Sequence, residues 1–208
     1  MSERKSPRLV VTGVDTGVGK TVASAVLAHA LEADYWKPVQ AGAEPITDRQ
    51  WMAQYGGLPE ERLLPETYNL SLPQSPHYAA EHSDITLDTA KLQPPETHRP
   101  LLIEGAGGVL VPLTRTLLYA DLFAQWELPV VVVVKSYLGA INHTLLTVAA
   151  LRGRRIPILG LLFNGHDYPA VQDFVPGYTG LPVLGQLEEM PEVNPEAIRA
   201  QVSNLTPE

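Results

Sequence analysis

Short apolar runs without polar alternation constrain the fold of this chain more than any other feature of its sequence. The clearest is Pro129–Val134, PVVVVV. A strand that is apolar at every position must be covered on both faces, as in a buried parallel sheet. Similar runs predict further strands at Arg8–Thr12, Asp34–Val39, Pro100–Gly108, Pro157–Asn164 and Leu181–Leu187.

Helical patterns lie between these runs, at Val22–Leu31, Tyr119–Leu128 and Ile141–Arg154. Strands that alternate with helices predict an α/β protein, with a mostly parallel sheet and helices on both faces. Residues Pro59–Arg99 are rich in Pro, Glu, Ser and His and predict irregular structure with one short helix. That stretch is either a cover over the substrate or an inert insertion. Without repeats or linkers, we expect residues 1–208 to form a single domain.

The composition narrows the function classes. The net charge is −8, and cysteine is absent, which excludes disulfides and thiolate metal sites. No apolar run approaches the roughly 20 residues of a membrane span. MSERKSPRLVV holds no stretch of signal-peptide length, so we expect a cytoplasmic protein that binds neither membrane nor nucleic acid. The basic run Arg152–Arg155 ends a predicted helix, where it complements the helix dipole.

A glycine loop follows the first predicted strand and opens the first helix. Gly13 and Gly19 are separated by five residues, one more than in the ordinary phosphate-binding loop, and Lys20 and Thr21 follow. In such loops backbone N–H groups cradle phosphates, the lysine reaches the β- and γ-phosphates, and the hydroxyl binds Mg²⁺. The alternative is a glycine turn with a chance GKT, which the flanking strand and helix disfavour. We therefore predict a nucleotide site of the P-loop NTPase type.

Carboxylates near the predicted phosphate site are candidates for Mg²⁺ ligands beside Thr21. Glu104 ends the strand LLIE, and ligands of parallel sheets bind at that end of the strands. The glycines that follow allow close backbone approach to a ligand. Asp48 is a third candidate, although the sequence alone favours a helix N-terminal role for it.

Lys37 stands within the apolar stretch YWKPV. A buried ammonium is costly unless it pairs with an anion, whereas a lysine on an edge strand can extend to solvent. Because the end of this strand should face the phosphate site, we predict a functional role for Lys37.

Six motifs occur in order along the chain: TGVDTGVGKT, KPVQAG, SPH, IEGAGG, LGAINHT and the Asn of LLFN. Together they resemble the dethiobiotin synthetase family, from about Leu9 to Pro195. The long glycine loop followed by KPV is specific to that family, whereas EGAGG is shared with related amidotransferase-like synthases.

The resemblance implies an ATP-dependent ligase of biotin synthesis. Its substrates would be 7,8-diaminononanoate, CO2 and Mg·ATP. One amine would become a carbamate, the γ-phosphate would activate it as a mixed anhydride, and the second amine would close the ring of dethiobiotin. ADP and phosphate would be released. The resemblance also implies a homodimer whose site is completed across the interface.

The resemblance assigns roles residue by residue. Lys37, Lys20 and Thr16 would be catalytic, and Thr21, Asp48 and Glu104 would hold the metal. The nucleotide would contact Asp15, Thr16, Gly17, Val18, Gly19, Lys20, Thr21, Asp48, Glu104, Gly105, Ala106, Gly107 and, at adenine, Asn164. The substrate would contact Ala41, Pro76 and, from the partner subunit, the segment of Leu138, Gly139, Ala140, Ile141 and Asn142.

Three positions depart from the family pattern. Gly17 stands where many members carry Glu, and Ala41 replaces a hydroxyl residue after KPV. Glu188–Met190 differs from the family's adenine-contacting stretch, so nucleotide preference stays open.

Three rival classes of protein fit the sequence less well. A ParA/MinD-like switching ATPase would carry an additional lysine early in the loop, where this chain has Val14 and Asp15. A GTPase motif is imitated at Asn164–Asp167, but Gly165 replaces its lysine. A cobyrinate-type amide synthase would need a nucleophilic cysteine, and the chain has none.

Overall fold

A computed structural model describes residues 6–42, 45–166 and 168–206. Its strands are β1 (Arg8–Gly13), β2 (Asp34–Trp36), β3 (Val39–Ala41), β4 (Leu63–Leu64), β5 (Tyr68–Leu70), β6 (Leu101–Gly108), β7 (Val130–Lys135), β8 (Ile158–Asn164) and β9 (Val183–Leu187). Its α-helices are α1 (Lys20–Ala30), α2 (Asp48–Gln54), α3 (Pro76–Glu81), α4 (Tyr119–Trp126), α5 (Ala140–Gly153), α6 (Pro169–Thr179) and α7 (Pro195–Ala200). Short 3₁₀ turns occupy Glu60–Arg62, Thr89–Lys91 and Gln201–Asn204.

Seven strands form the main sheet, in the order β4-β2-β6-β1-β7-β8-β9. Every neighbouring pair in this order is parallel. Two apolar cores cover its faces. One joins the sheet to α1, α2 and α7 through Val26, Met52 and Ile198, and the other joins it to α3, α4, α5 and α6. The predicted parallel α/β fold with helices on both faces is confirmed.

The position of β1 in the middle of the sheet determines where a ligand site can form. β1 pairs with β6 on one side and with β7 on the other, so the chain reverses its direction of winding at β1. The loop after β1 therefore emerges beside the carboxyl ends of β6 and β7, where ligands of open parallel sheets bind. The register places Val11 opposite Glu104 and Lys135 opposite Asn164.

The strand predicted at Asp34–Val39 is wrong in its extent. The structure divides it into β2 and β3 at Lys37 and Pro38, because proline has no N–H to continue the ladder. β3 leaves the main sheet and pairs with β5 in a second, two-stranded sheet. Lys37 is thereby released from the strand at the carboxyl edge.

The stretch Pro59–Arg99 is more regular than its sequence predicts. It contains α3, which matches the one predicted short helix, but it also supplies β5 and the edge strand β4. These strands are only two and three residues long, too short to show a hydrophobic period. β6 likewise continues through Gly108, where the sequence predicted a turn. Among the described residues, no helix has the length and apolarity to cross a membrane.

Candidate active site

The glycine loop joins β1 to α1 with a left-handed residue at the helix start. Gly19 has φ 89° and ψ 30°, a conformation that costs a side-chain-bearing residue about 1–2 kcal/mol. A Cβ at Gly19 would also lie 2.0 Å from Asn164 Nδ2. Glycine is required here for both reasons, and the loop is thereby locked against the end of β8.

Lys20 lies inside the curve of this loop. Its Nζ donates to the Asp15 carbonyl oxygen at 2.9 Å, and the Thr16 N–H donates to Asp15 Oδ1 at 2.7 Å. Burial lowers the pKa of Lys20 to about 8, although Glu104 acts in the opposite direction. A buried cation at a helix N-terminus, surrounded by backbone N–H groups, suits a phosphate ligand.

Thr21, Asp48 and Glu104 meet at the first turn of α1. Thr21 Oγ1 lies 2.8 Å from Asp48 Oδ1 and 3.1 Å from Glu104 Oε1. The three residues come from different elements, α1, α2 and β6, so only the folded chain brings them together. Their oxygens are hard donors from one hydroxyl and two carboxylates, the ligands that Mg²⁺ prefers in phosphate sites. The residues present therefore fit a magnesium ion.

Lys37 bridges the same two acids. Its Nζ donates to Glu104 Oε1 at 3.2 Å and forms a shorter contact with Asp48 Oδ2. Burial alone would lower the pKa of Lys37, but Glu104 and Asp48 outweigh burial and raise it. Burial likewise would raise the pKa of Asp48, but Lys37 outweighs it and holds that pKa below its usual value. The ammonium and the Asp48 carboxylate stabilise each other's charged form.

Asp48 is positioned by local structure at the start of α2. Thr47 caps that helix, and its side chain and that of Gln50 form a reciprocal capping box. The Asp48 N–H donates to Gln40 Oε1 at 3.2 Å. Asp48 thus lies at the start of a helix, as the sequence favoured. It also contributes to the oxygen cluster with Thr21 and Glu104, so the two interpretations are compatible.

A cavity of about 690 Å³ opens in front of this cluster. It collects sequence-predicted residues from five parts of the chain: Thr16, Gly17, Gly19, Lys20, Thr21, Lys37, Ala41, Asp48, Pro76, Glu104, Ala106 and Gly107. Its wall also contains residues that the sequence did not single out: Val22, Trp51, Pro73, Gln74, Ser75 and Val111. Trp51 follows Asp48 by one helical turn, and that spacing was the only signal that could have found it.

Two glycines of the IEGAGG motif have different reasons to be glycine. A Cβ at Gly107 would lie 2.7 Å from Val111 Cγ2, and its φ of +64° disfavours other residues. A Cβ at Gly105 would lie 2.9 Å from Phe123 Cζ, so this glycine lets α4 pack closely on β6. The close approach at Gly105 is therefore to the core.

Asn164 lies on the far side of the loop. Its Nδ2 donates to the Val18 carbonyl oxygen at 3.0 Å. Beside it is a second cavity of about 410 Å³, lined by Gly165, His166, Gln186, Glu188, Glu189 and Asn204. Asp167, the end of the GTPase-like stretch, lies outside the described residues.

The segment Leu138–Asn142 stands apart from the large cavity. Gly139, with φ 106°, precedes the first residue of α5, and Leu138 is 92% exposed. Tyr137 and His143 bracket the segment, with the Tyr137 hydroxyl 2.6 Å from His143 Nδ1. Within one chain the structure does not bring this segment to Lys37.

The parallel sheet and the lysine-bearing glycine loop define a P-loop NTPase fold. Solved structures agree at the level of the fold. A ParA family ATPase from Chlorobium tepidum has a TM-score of 0.53 at 8% identity, covering 96% of this chain and 98% of that chain. The MinC:MinD cell division protein complex of Aquifex aeolicus gives 0.53 at 14% identity, covering 94% and 86%.

Sequence comparison identifies the family. A family model described as AAA domain matches residues 7–197. ATP-dependent dethiobiotin synthetases are 52% identical in Rhodopseudomonas palustris strain HaA2, over 92% of this chain and 90% of the relative, and 48% identical in Agrobacterium fabrum, over 96% of each. A third, from Afipia carboxidovorans, is 51% identical over 94% and 93%. The chain belongs to the dethiobiotin synthetase family and is an ATP-dependent ligase.

Proposed function

We propose that this protein converts 7,8-diaminononanoate, CO2 and ATP to dethiobiotin, ADP and phosphate. The observation that carries the proposal is the cavity in which Lys20, Lys37 and the Thr21–Asp48–Glu104 cluster face one another. Phosphoryl transfer to an anionic acceptor needs cationic groups between two negative reactants. The cavity holds two lysines and an oxygen cluster suited to a metal ion.

The reaction we propose has three steps. One amine of the diamine attacks CO2 and loses a proton, which forms a carbamate. A carbamate oxygen then attacks the γ-phosphorus, and the bond from that phosphorus to the β,γ-bridging oxygen breaks to release ADP. The second amine attacks the carbamoyl carbon of the resulting mixed anhydride, the ring closes, and phosphate leaves.

The two lysines would stabilise different negative groups. Lys20 lies at the start of α1 and would contact the β- and γ-phosphates. Lys37 lines the same cavity and would hold the carbamate and the moving phosphoryl group. The Thr16 hydroxyl and the loop backbone would lie between nucleotide and acceptor, which explains why this loop is one residue longer than the ordinary one.

A magnesium ion would be held by Thr21, Asp48 and Glu104. It would neutralise the charge of the phosphate oxygens during transfer. Asp15, Gly17, Val18, Gly105, Ala106 and Gly107 belong to the segments that would enclose the phosphates. Asn164 would contact the base, which would enter the 410 Å³ cavity beside it.

The carboxylate end of the diamine needs a site of its own. Ala41 and Pro76 line the large cavity. Leu138–Asn142 does not, yet it forms the start of α5, and the N-terminus of a helix suits a carboxylate. We propose a homodimer of single-domain subunits, residues 1–208, in which this segment completes the partner's cavity. We further propose that the enzyme works in the cytoplasm, with no nucleic acid or membrane partner.

Product formation tests the function directly. Purified protein is mixed with Mg·ATP, labelled bicarbonate and 7,8-diaminononanoate, and acid-stable label in dethiobiotin is measured. ATP-dependent label in that product is the expected result. ATP hydrolysis without the diamine and without product would favour a switching ATPase instead.

A further inference from the structure

Glu104 is almost completely buried, and both of its carboxylate oxygens are occupied. Oε1 accepts from Thr21 at 3.1 Å and from Lys37 at 3.2 Å. Oε2 accepts from the Tyr35 hydroxyl at 3.0 Å. Tyr35 therefore contacts the one oxygen of Glu104 that does not face the lysine and the threonine.

We propose that Tyr35 is the positioning residue of Glu104, and that it sets how tightly the protein holds its divalent ion. The Tyr35 hydroxyl fixes Oε2, so that Oε1 is turned toward Thr21 and the cavity. This inference rests on the proposed metal role of Glu104. Tyr35 does not line the large cavity, so it would act only through the carboxylate.

The geometry makes Tyr35 a rigid support. It lies on β2, opposite Leu102 of the neighbouring β6, and it is fully buried in the core that contains Met52. Packing on all sides fixes its two side-chain torsions. The terminal torsion of a glutamate, in contrast, is broad and has no strong preference of its own. A hydrogen bond from the rigid ring to one oxygen therefore determines the orientation of the other.

The chemistry of the donor supports the same role. An ionised carboxylate only accepts hydrogen bonds, so the proton between these two groups is that of the Tyr35 hydroxyl. The hydroxyl can only donate to the carboxylate. Mg²⁺ demands near-ideal octahedral geometry, and partners that orient a metal ligand typically change metal affinity 10–100-fold.

Deleting one oxygen atom tests the proposal. Tyr35→Phe keeps the ring and removes the hydroxyl. The probe is Mn²⁺ added to the protein–ADP complex, with free Mn²⁺ counted by electron paramagnetic resonance. We expect Mn²⁺ to bind about 10–100-fold more weakly than in the unaltered protein. ADP affinity measured in the presence of EDTA should change less than about twofold, since Tyr35 does not line the phosphate loop.

Tyr119→Phe is the matched control. Tyr119 is also buried, and among the described residues its hydroxyl forms no hydrogen bond with a carboxylate. Its removal takes away a buried hydroxyl without touching a carboxylate, so Mn²⁺ affinity should stay the same. Unchanged affinity in Tyr35→Phe would overturn the proposal, and so would an equal loss in both variants.

A double-mutant cycle separates orientation of Glu104 from general support of the core. In the Glu104→Gln background, Tyr35→Phe should have no further effect on Mn²⁺ affinity if Tyr35 acts through that carboxylate. An undiminished effect there would overturn the proposal. Thermal unfolding of all four proteins of the cycle checks that each is folded at the temperature of the Mn²⁺ titration.

The outcome is distinguishable from failure of the proposed function. Mn²⁺ binding needs no diamine and no turnover. If the unaltered protein bound Mn²⁺ but formed no dethiobiotin, the reaction would be wrong and the role of Tyr35 would stand.

Discussion

Lys37 is the side chain on which the proposed chemistry depends most. It is 5% exposed and lies between Glu104 and Asp48. A buried ammonium of this kind is stable only through its partners, and the partners equally depend on it. The acids that hold Lys37 are the same acids that would hold magnesium, so the two cations share one set of oxygens.

Lys37→Met should remove most turnover while sparing nucleotide binding. Loss of a cation that stabilises a transferring group lowers kcat by about 10²–10³. Dethiobiotin formation and ADP affinity are the measurements. Lys91→Met, at an exposed lysine of the Thr89–Lys91 turn, is the control for loss of a lysine charge and should behave like the unaltered protein. Near-normal rates in Lys37→Met would reject the assigned role.

The same variant should be less stable and more responsive to metal. Without Lys37, Asp48 and Glu104 lose the cation that contacts both of them, and breaking such a buried pair costs about 3–5 kcal/mol. A divalent ion can replace the missing charge. Added Mg²⁺ should therefore raise the melting temperature of Lys37→Met more than that of the unaltered protein, as measured by calorimetry; equal increases would contradict shared use of the oxygens.

Nucleotide affinity should depend on pH through Lys20. The pKa of Lys20 is lowered to about 8 by burial, and bound phosphate would raise it by favouring the ammonium. The protonated form dominates below pH 8, so affinity should be flat there. Above pH 8 binding requires proton uptake, and affinity should fall by up to about tenfold per pH unit.

Titration calorimetry with ADP from about pH 6.5 to about pH 10, a range that spans the lowered and the ordinary pKa of a lysine, would measure this dependence. Lys20→Arg is the matched control, because its guanidinium stays charged over that range. Its affinity should show no comparable fall above pH 8. A flat profile for the unaltered protein would contradict the lowered pKa.

At the scale of elements, the glycine loop and β8 are joined by contact between Gly19 and Asn164. A side chain at Gly19 would meet Asn164 at 2.0 Å and would also be strained at φ +89°. At Gly17 a side chain would strain the backbone but meet no steric conflict. Its φ is +71°, and no heavy atom lies within 4 Å of the position that a Cβ would occupy. The two positions separate steric conflict from backbone strain.

Gly19→Ala should therefore destabilise the protein more than Gly17→Ala. Strain alone costs about 1–2 kcal/mol and is common to both. In the Asn164→Ala background the cost of Gly19→Ala should fall toward that of Gly17→Ala, because the conflict has been removed. Urea unfolding gives the free energies; equal costs for Gly19→Ala in both backgrounds would show that Asn164 is not the obstacle.

Elements were predictable from sequence where one strong pattern dominates. The five valines of β7 and the apolar helix α1 are recognisable from composition and period. α2 and α7 were not predicted, since each is short and buries one side chain, Met52 or Ile198. Pro176 inside α6 likewise works against a helix prediction. These helices are held by packing on the sheet, which no local pattern shows.

At the scale of the whole molecule, Leu138–Asn142 does not line the large cavity of its own chain, and the proposed homodimer would supply it from a second subunit. Asn142→Asp should repel the substrate carboxylate without disturbing the start of α5, where an acidic residue is favourable. Lys37→Met removes the lysine that the other subunit would contribute to the same site. Each variant alone should be nearly inactive.

Refolded together in equal amounts, the two variants should recover about a quarter of the unaltered activity. Random pairing makes about half of the dimers mixed, and each mixed dimer has one intact site of two. Sedimentation would verify the dimer. No recovery on mixing would mean that each site lies within one chain.

The sequence alone determined the parallel α/β class, the place of the glycine loop and the candidate groups beside it. Apolar runs can only be buried, and a lysine after a glycine loop has few other uses. The tertiary structure decided which of these side chains contact one another. Thr21, Lys37, Asp48 and Glu104 are far apart in sequence, and only the parallel register and the break at Pro38 bring their side chains together. The support of Glu104 by Tyr35 is of the same kind, because it depends on which two strands are neighbours, and strand order is set by packing of the whole chain.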